Sequence, residues 1–314
     1  MYDLIIIGGG PAGVAAGVYA SRKKIKTLFI TESFGGQSIV SDGIENWIGT
    51  IKISGEDLAK SLEAHLRAYA GDIVEIKTGT RIASIAQANT ESGATYFKVT
   101  KQGSNPEVYE AKTILIATGS KRRKLEAKGA DIFEHKGVTY CATCDAPMFG
   151  GQDVVVVGGG NAAFESAAQL SAHCTSVTIL NRGDVFRADP VTVEKVLAKE
   201  NVKAIKNAVI EEITGDTFVQ GLVYKNVATG ATETLAITGV FVEIGLIPNT
   251  DFIKDIVTLD AYGKVVIDHK SQATSIPGIW AAGDCTDGLY HQNNIAAGDA
   301  VKALEDIYVY LTRN

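Results

Sequence analysis

Two segments constrain the fold of this chain more than any other feature. Leu4-Ile5-Ile6-Ile7 runs into Gly8-Gly9-Gly10-Pro11-Ala12-Gly13, and Val154-Val155-Val156-Val157 runs into Gly158-Gly159-Gly160-Asn161-Ala162-Ala163. Each is a short apolar strand that stops on G-x-G-x-x-G or its alanine-ended form. Each then continues as a helix, Val14 to Ala20 with small side chains after the first and Phe164 to Ala172 after the second. A lone signature of this kind is often only a tight connection. Two copies in the same strand-to-helix context, 150 residues apart, predict two dinucleotide-binding βαβ units. In each, the first glycine makes the turn, the second lets the backbone approach a pyrophosphate, and the third position lets the helix close on the strand.

At 314 residues the chain exceeds what one core usually serves, so two domains are expected. After the first unit, the strand Thr27 to Ile30 leads to Glu32, nineteen residues beyond Gly13, where an acid can bind an adenosine ribose hydroxyl. Tyr96 to Thr100 and Val108 to Ala111 read as paired strands joined through Gly103-Ser104-Asn105-Pro106. A separate apolar strand from Thr113 then stops on the turn Ala117-Thr118-Gly119. A similar strand, Gly239 to Ile244, reaches Gly245 and Pro248-Asn249, and Gly278 to Ala282 ends on Gly283-Asp284. The simplest architecture is α/β, with two Rossmann-like, three-layer ββα domains, the second inserted in the first. The discontinuous domain comprises 1–117 and 247–314, and the inserted one 118–246. Two dinucleotide sites in one chain point to a bound flavin and a nicotinamide donor.

Fourteen residues before Gly158 stands the second thiol of Cys141-Ala142-Thr143-Cys144, followed at once by Asp145. The spacing serves disulfide exchange or half of a zinc site, and zinc normally takes two more Cys or His ligands nearby. None lies at ligand spacing, and Cys174 and Cys285 are isolated, so the redox reading leads and no metal is expected. Cys174 is expected to be a buried small residue. The N-terminus has no basic segment or cleavage-like stretch, and apolar runs are four to six residues long, so a cytoplasmic protein is expected. In a reducing compartment four cysteines do not make a structural framework, and an oxidised pair would be a working one. The net charge of -6 is spread without a basic run, against a nucleic-acid groove or a membrane patch. Small molecules and proteins are the expected partners.

In order and combination, these residues resemble the low-molecular-weight, bacterial-type thioredoxin reductases over essentially the whole length. The likeness rests on the GGGPAG opening, Gly35-Gly36-Gln37, Glu45-Asn46-Trp47, Ala117-Thr118-Gly119, CATC-Asp, GGGNAA with Glu165, Phe186-Arg187-Ala188, and Gly283-Asp284 with Tyr290 and Gln292. Larger, glutathione-reductase-like relatives carry their cysteines just after the first fingerprint, and here none precedes Cys141.

The resemblance implies FAD in the first domain. Gly8, Gly10, Pro11, Ala12 and Gly13 would receive the pyrophosphate, Gly36, Gln37 and Asn46 would approach the flavin ring, and Asp284 would meet the ribityl or phosphate part. His291 and Gln292 fall in a segment near the flavin where Arg is more usual than His. The second domain would take NADPH, or NADH, through Gly158, Gly160, Asn161, Ala162, Ala163, Glu165, Asn181, Arg182, Arg187 and Gly245. Cys144 would be the flavin-side sulfur, Cys141 the exchanging one, and Asp145 the acid that protonates a leaving thiolate. The implied substrate is thioredoxin or a thioredoxin-like protein, and the implied assembly a homodimer. Rotation of the second domain, hinged near 117–120 and 245–249, would bring the dithiol and the nicotinamide to the flavin in turn.

Two departures matter. After Val177-Thr178-Ile179-Leu180 the resemblance calls for His-Arg-Arg on the 2′-phosphate, and this chain has Asn181-Arg182-Gly183. One lost charge-assisted contact is worth about 1.5–3 kcal/mol. Ala146 stands where Gly is usual, which would strain a backbone of positive φ. The run from Val240 to Thr250 also resembles the reductase component that feeds peroxiredoxins, which has a further N-terminal redox module outside the span of this sequence. Rival functions are the same disulfide chemistry driven by reduced ferredoxin, a ferredoxin or flavodoxin reductase, a dithiol oxidase acting on small metabolites, and a non-catalytic redox sensor.

Overall fold

Strand β1 (Tyr2–Ile7) buries both faces, with Leu4 and Ile6 in one core and Ile5 and Ile7 in another. A strand apolar on both sides belongs in a sheet covered twice. The computed structural model describes residues 1–41 and 43–313 and forms two units, Met1–Lys121 with Ile247–Asn314, and Arg122–Leu246. In the first unit β1 is followed by α1 (Pro11–Arg22), β2 (Thr27–Ile30), α2 (Gly55–Ala70), β3 (Val74–Lys77), β4 (Ile82–Asn89), β5 (Thr95–Lys101) and β6 (Val108–Ile116). The sheet order is β3-β2-β1-β6-β5-β4, parallel from β3 to β6 and antiparallel beyond.

Where two strands are expected around 108–117, the structure has one, β6. Its first half, Val108–Ala111, pairs with β5, and its second half lies along a later parallel strand. The apparent break at Lys112 is an exposed residue within a continuous strand. Helix α1 packs closely on α2, since a Cβ at Gly17 would lie 2.7 Å from Leu66 Cδ1.

The chain leaves the first unit along β7 (Ser120–Arg122). The second unit contains β8 (Val138–Thr139), α3 (Ala142–Asp145), β9 (Asp153–Val157), α4 (Asn161–Leu170), β10 (Ser176–Leu180), α5 (Pro190–Leu197) and β11 (Val202–Ile205). Then come the meander β12 (Ala208–Gly215), β13 (Val219–Asn226) and β14 (Thr232–Ala236), and finally β15 (Gly239–Val242). A parallel sheet of order β11-β10-β9-β15-β8 forms its centre. Val154 and Val156 pack with Phe164 and Leu170 of α4, and Val155 and Val157 pack with Leu222 and Tyr224 of the meander. Helices, parallel sheet and antiparallel sheet therefore make a ββα sandwich, the Rossmann-like layering expected for a dinucleotide unit.

The chain returns along β16 (Leu246–Pro248), which pairs with β7, and adds β17 (Ile279–Ala281) beside β6 and the closing helix α6 (Asn293–Arg313). Ala296, Ala300, Ala303, Leu304 and Ile307 form the buried stripe of α6, at helical spacing. Among the described residues, no helix is long and apolar enough to cross a membrane.

Candidate functional site: two glycine cradles and a dithiol

The glycines of each fingerprint divide by what a Cβ would meet. Gly8 has φ +125°, and a Cβ on it would lie 2.1 Å from the Ala117 carbonyl oxygen; one on Gly13 would lie 1.8 Å from the Gly8 oxygen. Those two positions are glycine because the fold leaves no room. Gly10 is different, for its Cβ would meet nothing nearer than the Gly36 Cα at 3.9 Å. The second fingerprint repeats the division. Gly158, at φ +151°, would strike the Glu243 carbonyl oxygen at 2.3 Å and Gly159 the Asn181 Oδ1 at 2.2 Å, whereas Gly160 would meet nothing within 4 Å. In both loops the middle glycine faces open space at a helix N-terminus, the cradle that a pyrophosphate fits. Pro11 begins α1, where its missing N–H is no loss, and Asn161 begins α4.

In the first unit the Gln37 side chain donates to Asp284 Oδ2 at 3.1 Å and to Ser120 Oγ at 3.0 Å. On the other carboxylate oxygen, His291 Nδ1 lies 3.6 Å from Asp284 Oδ1, and His291 Nε2 lies 2.9 Å from Lys264 Nζ. An ammonium only donates, so Nε2 accepts and the ring proton sits on Nδ1, toward Asp284. Lys264 thus supplies a cation behind His291, a residue that sequence spacing does not reveal because it is reached only through the fold. Gly36 has φ +61° and Gly283 φ +77°. A Cβ on Gly283 would press on Ala296 at 3.2 Å and Ala12 at 3.4 Å, so the loop of Asp284 packs on the helix that follows the first cradle.

Asn46 donates to Gln292 Oε1 at 3.1 Å, and its carbonyl accepts from Asn294 at 2.7 Å. Trp47 packs partly buried against the α1 core. Thr118 and Asn249 clamp each other, with Thr118 Oγ1 donating to the Asn249 carbonyl at 2.8 Å and the Asn249 amide returning at 2.9 Å. Gly119, at φ +60°, completes that turn. Glu32 lies just past β2 and pairs with Arg81 at 2.7 Å, both side chains largely exposed. An exposed pair of this kind is worth little, so a ribose hydroxyl can share the carboxylate.

In the second unit the residues beyond β10 fall into two groups. The Asn181 side chain is buried and turned inward, donating to the carbonyls of Gly183 and Val185 at 3.0 Å each, which shapes the loop and leaves the amide engaged. Arg182 and Arg187 are exposed, and the Arg187 N–H holds the Gly159 carbonyl at 2.7 Å. Asn161 Oδ1 accepts the Asp189 N–H at 2.7 Å, tying the start of α4 to the same loop. Ala162 and Glu165 are exposed on α4, Ala163 is buried under the cradle, and Gly245, at φ +99°, lies exposed before β16. Glu243, one residue past β15, accepts from Ser166 Oγ at 2.7 Å, and burial pushes its carboxyl above the usual glutamate range.

Cys141 and Cys144 are joined as a disulfide, with Cα atoms 5.3 Å apart, across the short helix α3. Cys141 is the N-cap, and its sulfur accepts the Cys144 N–H at 3.2 Å. Both are half-buried. The Asp145 carboxylate accepts from Thr139 Oγ1, a partner sequence reading misses because a threonine before CxxC has no signature of its own. Ala146 is buried at φ -50°, so alanine where the resemblance calls for glycine causes no strain. Cys174 and Cys285 are buried, and burial pushes both thiols up to about 11, far from the range of a reactive thiolate.

Comparison with known proteins follows the same lines. The sequence model described as pyridine nucleotide-disulphide oxidoreductase matches residues 2–300. The thioredoxin reductase of Streptococcus pyogenes MGAS5005 is 36% identical, with a TM-score of 0.87, covering 100% of this chain and 99% of its own. That of Giardia duodenalis is 35% identical at the same TM-score, covering 99% of both chains. Among curated relatives, a protein named NADH dehydrogenase from Bacillus subtilis (strain 168) is 38% identical across all of this chain and 59% of its own length. An alkyl hydroperoxide reductase component from Escherichia coli (strain K12) is 38% identical across 99% of this chain and 58% of its own. The chain thus spans less than two thirds of those two relatives.

Proposed function

We propose that this chain, which belongs to the pyridine nucleotide-disulphide oxidoreductase family, is a flavoprotein disulfide reductase. It uses a reduced nicotinamide dinucleotide and FAD to reduce, through Cys141 and Cys144, the disulfide of thioredoxin or a thioredoxin-like protein. The carrying observation is the Cys141–Cys144 disulfide, closed in the unit that also holds the second open cradle. Bound FAD supplies the conversion between a hydride's electron pair and thiolate chemistry. Gly10, Gly36, Gln37 and Asp284 are the residues assigned to hold it, with Glu32 at the ribose and the Lys264–His291 pair setting the charge behind Asp284. Gly160, Arg182 and Arg187 are assigned to the nicotinamide dinucleotide.

Once the pair is reduced, Cys141 reacts as the thiolate, its sulfur standing at the start of α3, where the Cys144 N–H faces it in the disulfide. That thiolate attacks one sulfur of the carrier disulfide, the carrier S–S bond breaks, and its leaving thiolate takes a proton. Asp145, next in sequence, is the group assigned to move it. Cys144 then gives up its proton and attacks the Cys141 sulfur of the mixed disulfide, and the second carrier sulfur leaves as a thiolate that takes a proton. Two electrons and two protons have passed to the carrier, and the Cys141–Cys144 disulfide is restored.

NADPH is the proposed donor, since Arg182 and Arg187, both exposed, stand in the loop after β10 and no carboxylate ends that strand. NADH is the second reading, favoured by the inward turn of Asn181 and by a relative named NADH dehydrogenase. Thioredoxin-dependent reduction of a disulfide reporter, measured with each nucleotide, tests the proposal. Cys141→Ser and Cys144→Ser should each retain flavin and lose turnover by at least a thousandfold. Undiminished thioredoxin-dependent turnover in either variant overturns it.

A further inference from the structure

Thr139 ends β8, two residues before Cys141, and through it the dithiol and Asp145 are connected. Its Oγ1 donates to Asp145 Oδ2, while the Cys141 N–H donates to the same Oγ1 at 3.4 Å. The Asp145 N–H closes the loop on the Cys141 carbonyl at 3.1 Å. A hydroxyl has one proton, so committing it to the carboxylate leaves only lone pairs toward the amide. The chain from Cys141 N–H through the Thr139 hydroxyl to the carboxylate therefore has one direction. The backbone of Thr139 is fixed separately, by its register with Phe241 of β15, so the strand does not depend on the hydroxyl.

We propose that Thr139 is a positioning residue that holds the Asp145 carboxyl toward the Cys141–Cys144 pair, in the orientation from which it exchanges a proton with a departing thiolate. This rests on the disulfide-reductase reading above. Helix α4 packs on α3 and carries one charged residue, Glu165, which is exposed; the turn Ala146–Phe149, β8 and β15 carry none. Tyr140 lies beside Thr139 half-buried, its phenol pushed up by burial and so neutral in the working range. A hydroxyl that donates to a carboxylate favours the ionised form, so removing it makes Asp145 hold its proton to higher pH.

The test uses the flavin-loaded protein reduced with dithiothreitol, without any carrier, so its outcome is separate from that of the turnover assay. The rate of alkylation of Cys141 and Cys144 by iodoacetamide is followed against pH, with each site identified by mass spectrometry. The inflection belonging to Asp145 is the one that Asp145→Asn removes. Thr139→Val should move it upward by about one pH unit, a roughly tenfold rate change on that limb. Thr139→Ser should restore it, and Thr139→Val should add nothing in the Asp145→Asn background. A Thr139→Val profile that overlays the parent, a wild-type profile with no inflection that Asp145→Asn removes, or an equal shift in the Asp145→Asn background each overturns the proposal. The serine variant keeps the test decisive if valine impairs folding.

Discussion

Replacing Gly160 by alanine should separate nucleotide binding from folding. Gly160 has φ -99° and ψ -178°, ordinary extended backbone that alanine adopts, and its Cβ would meet nothing within 4 Å. The new methyl then costs the folded state nothing and removes freedom from the unfolded chain, a gain of about 0.4–1 kcal/mol. For a unit of 125 residues, counted from Arg122 to Leu246, that is a Tm rise of roughly 1–4 °C. The same methyl fills the space through which a pyrophosphate would reach the loop amides. Losing one hydrogen bond to a charged group costs about 1.5–3 kcal/mol, or roughly tenfold to a hundredfold in Kd. Gly158→Ala makes the opposite case, because φ +151° and a Cβ 2.3 Å from the Glu243 oxygen strain the fold itself. Calorimetric unfolding and titration of the oxidised protein with NADPH and with NADH read both effects. Wild-type affinity for both nucleotides in a Gly160→Ala protein of undiminished Tm would refute the assignment of this loop as the cradle.

Two further outcomes follow from the second unit. Gly183→Arg introduces a side chain whose Cβ meets only Asn181 Nδ2 and Val185 O, each at the relaxed distance of 3.9 Å. It should lower KM for NADPH roughly tenfold and leave that for NADH unchanged; equal changes for both would place the 2′-phosphate elsewhere. Glu243→Gln should stabilise the unit at high pH but not at low pH. Burial raises the folded pKa of Glu243, so the folded state holds a proton that the unfolded chain has already lost. The resulting stability is present below the ordinary glutamate value and is lost as pH rises through the raised one. Glutamine does not ionise and still accepts from Ser166, so its Tm advantage should be absent near pH 4 and present near pH 8. An advantage independent of pH contradicts that origin.

How far the sequence was legible depended on whether a feature is local. The strand-to-glycine-to-helix runs at Gly8 and Gly158 announce themselves, since turn, cradle and helix start all lie within six residues. The strands Thr27–Ile30 and Val108–Ile116 were likewise readable from alternation and apolar content, although one polar residue, Lys112, made β6 look like two strands. The CxxC pair was legible for the same reason, because one short turn brings the thiols together.

Contacts that depend on tertiary closure gave no such sign. Lys264 reaches His291 across 27 residues and Gln37 reaches Asp284 across 247, and neither separation belongs to any helix or strand period. Asn181 shows the converse, for its position after β10 suggested a phosphate contact while the fold turns the amide back into its own loop. Thr139 lies between these cases. It is only two residues from Cys141 and six from Asp145, yet its role appears only when β8 ends and α3 begins at that point, turning the chain so that one hydroxyl meets both. Proximity in sequence was sufficient to suspect Asp145, but the residue that orients it is chosen by backbone direction. For this dithiol, therefore, the sequence marks the two cysteines and Asp145, and the fold supplies the one hydroxyl that meets both the Cys141 N–H and the Asp145 carboxylate.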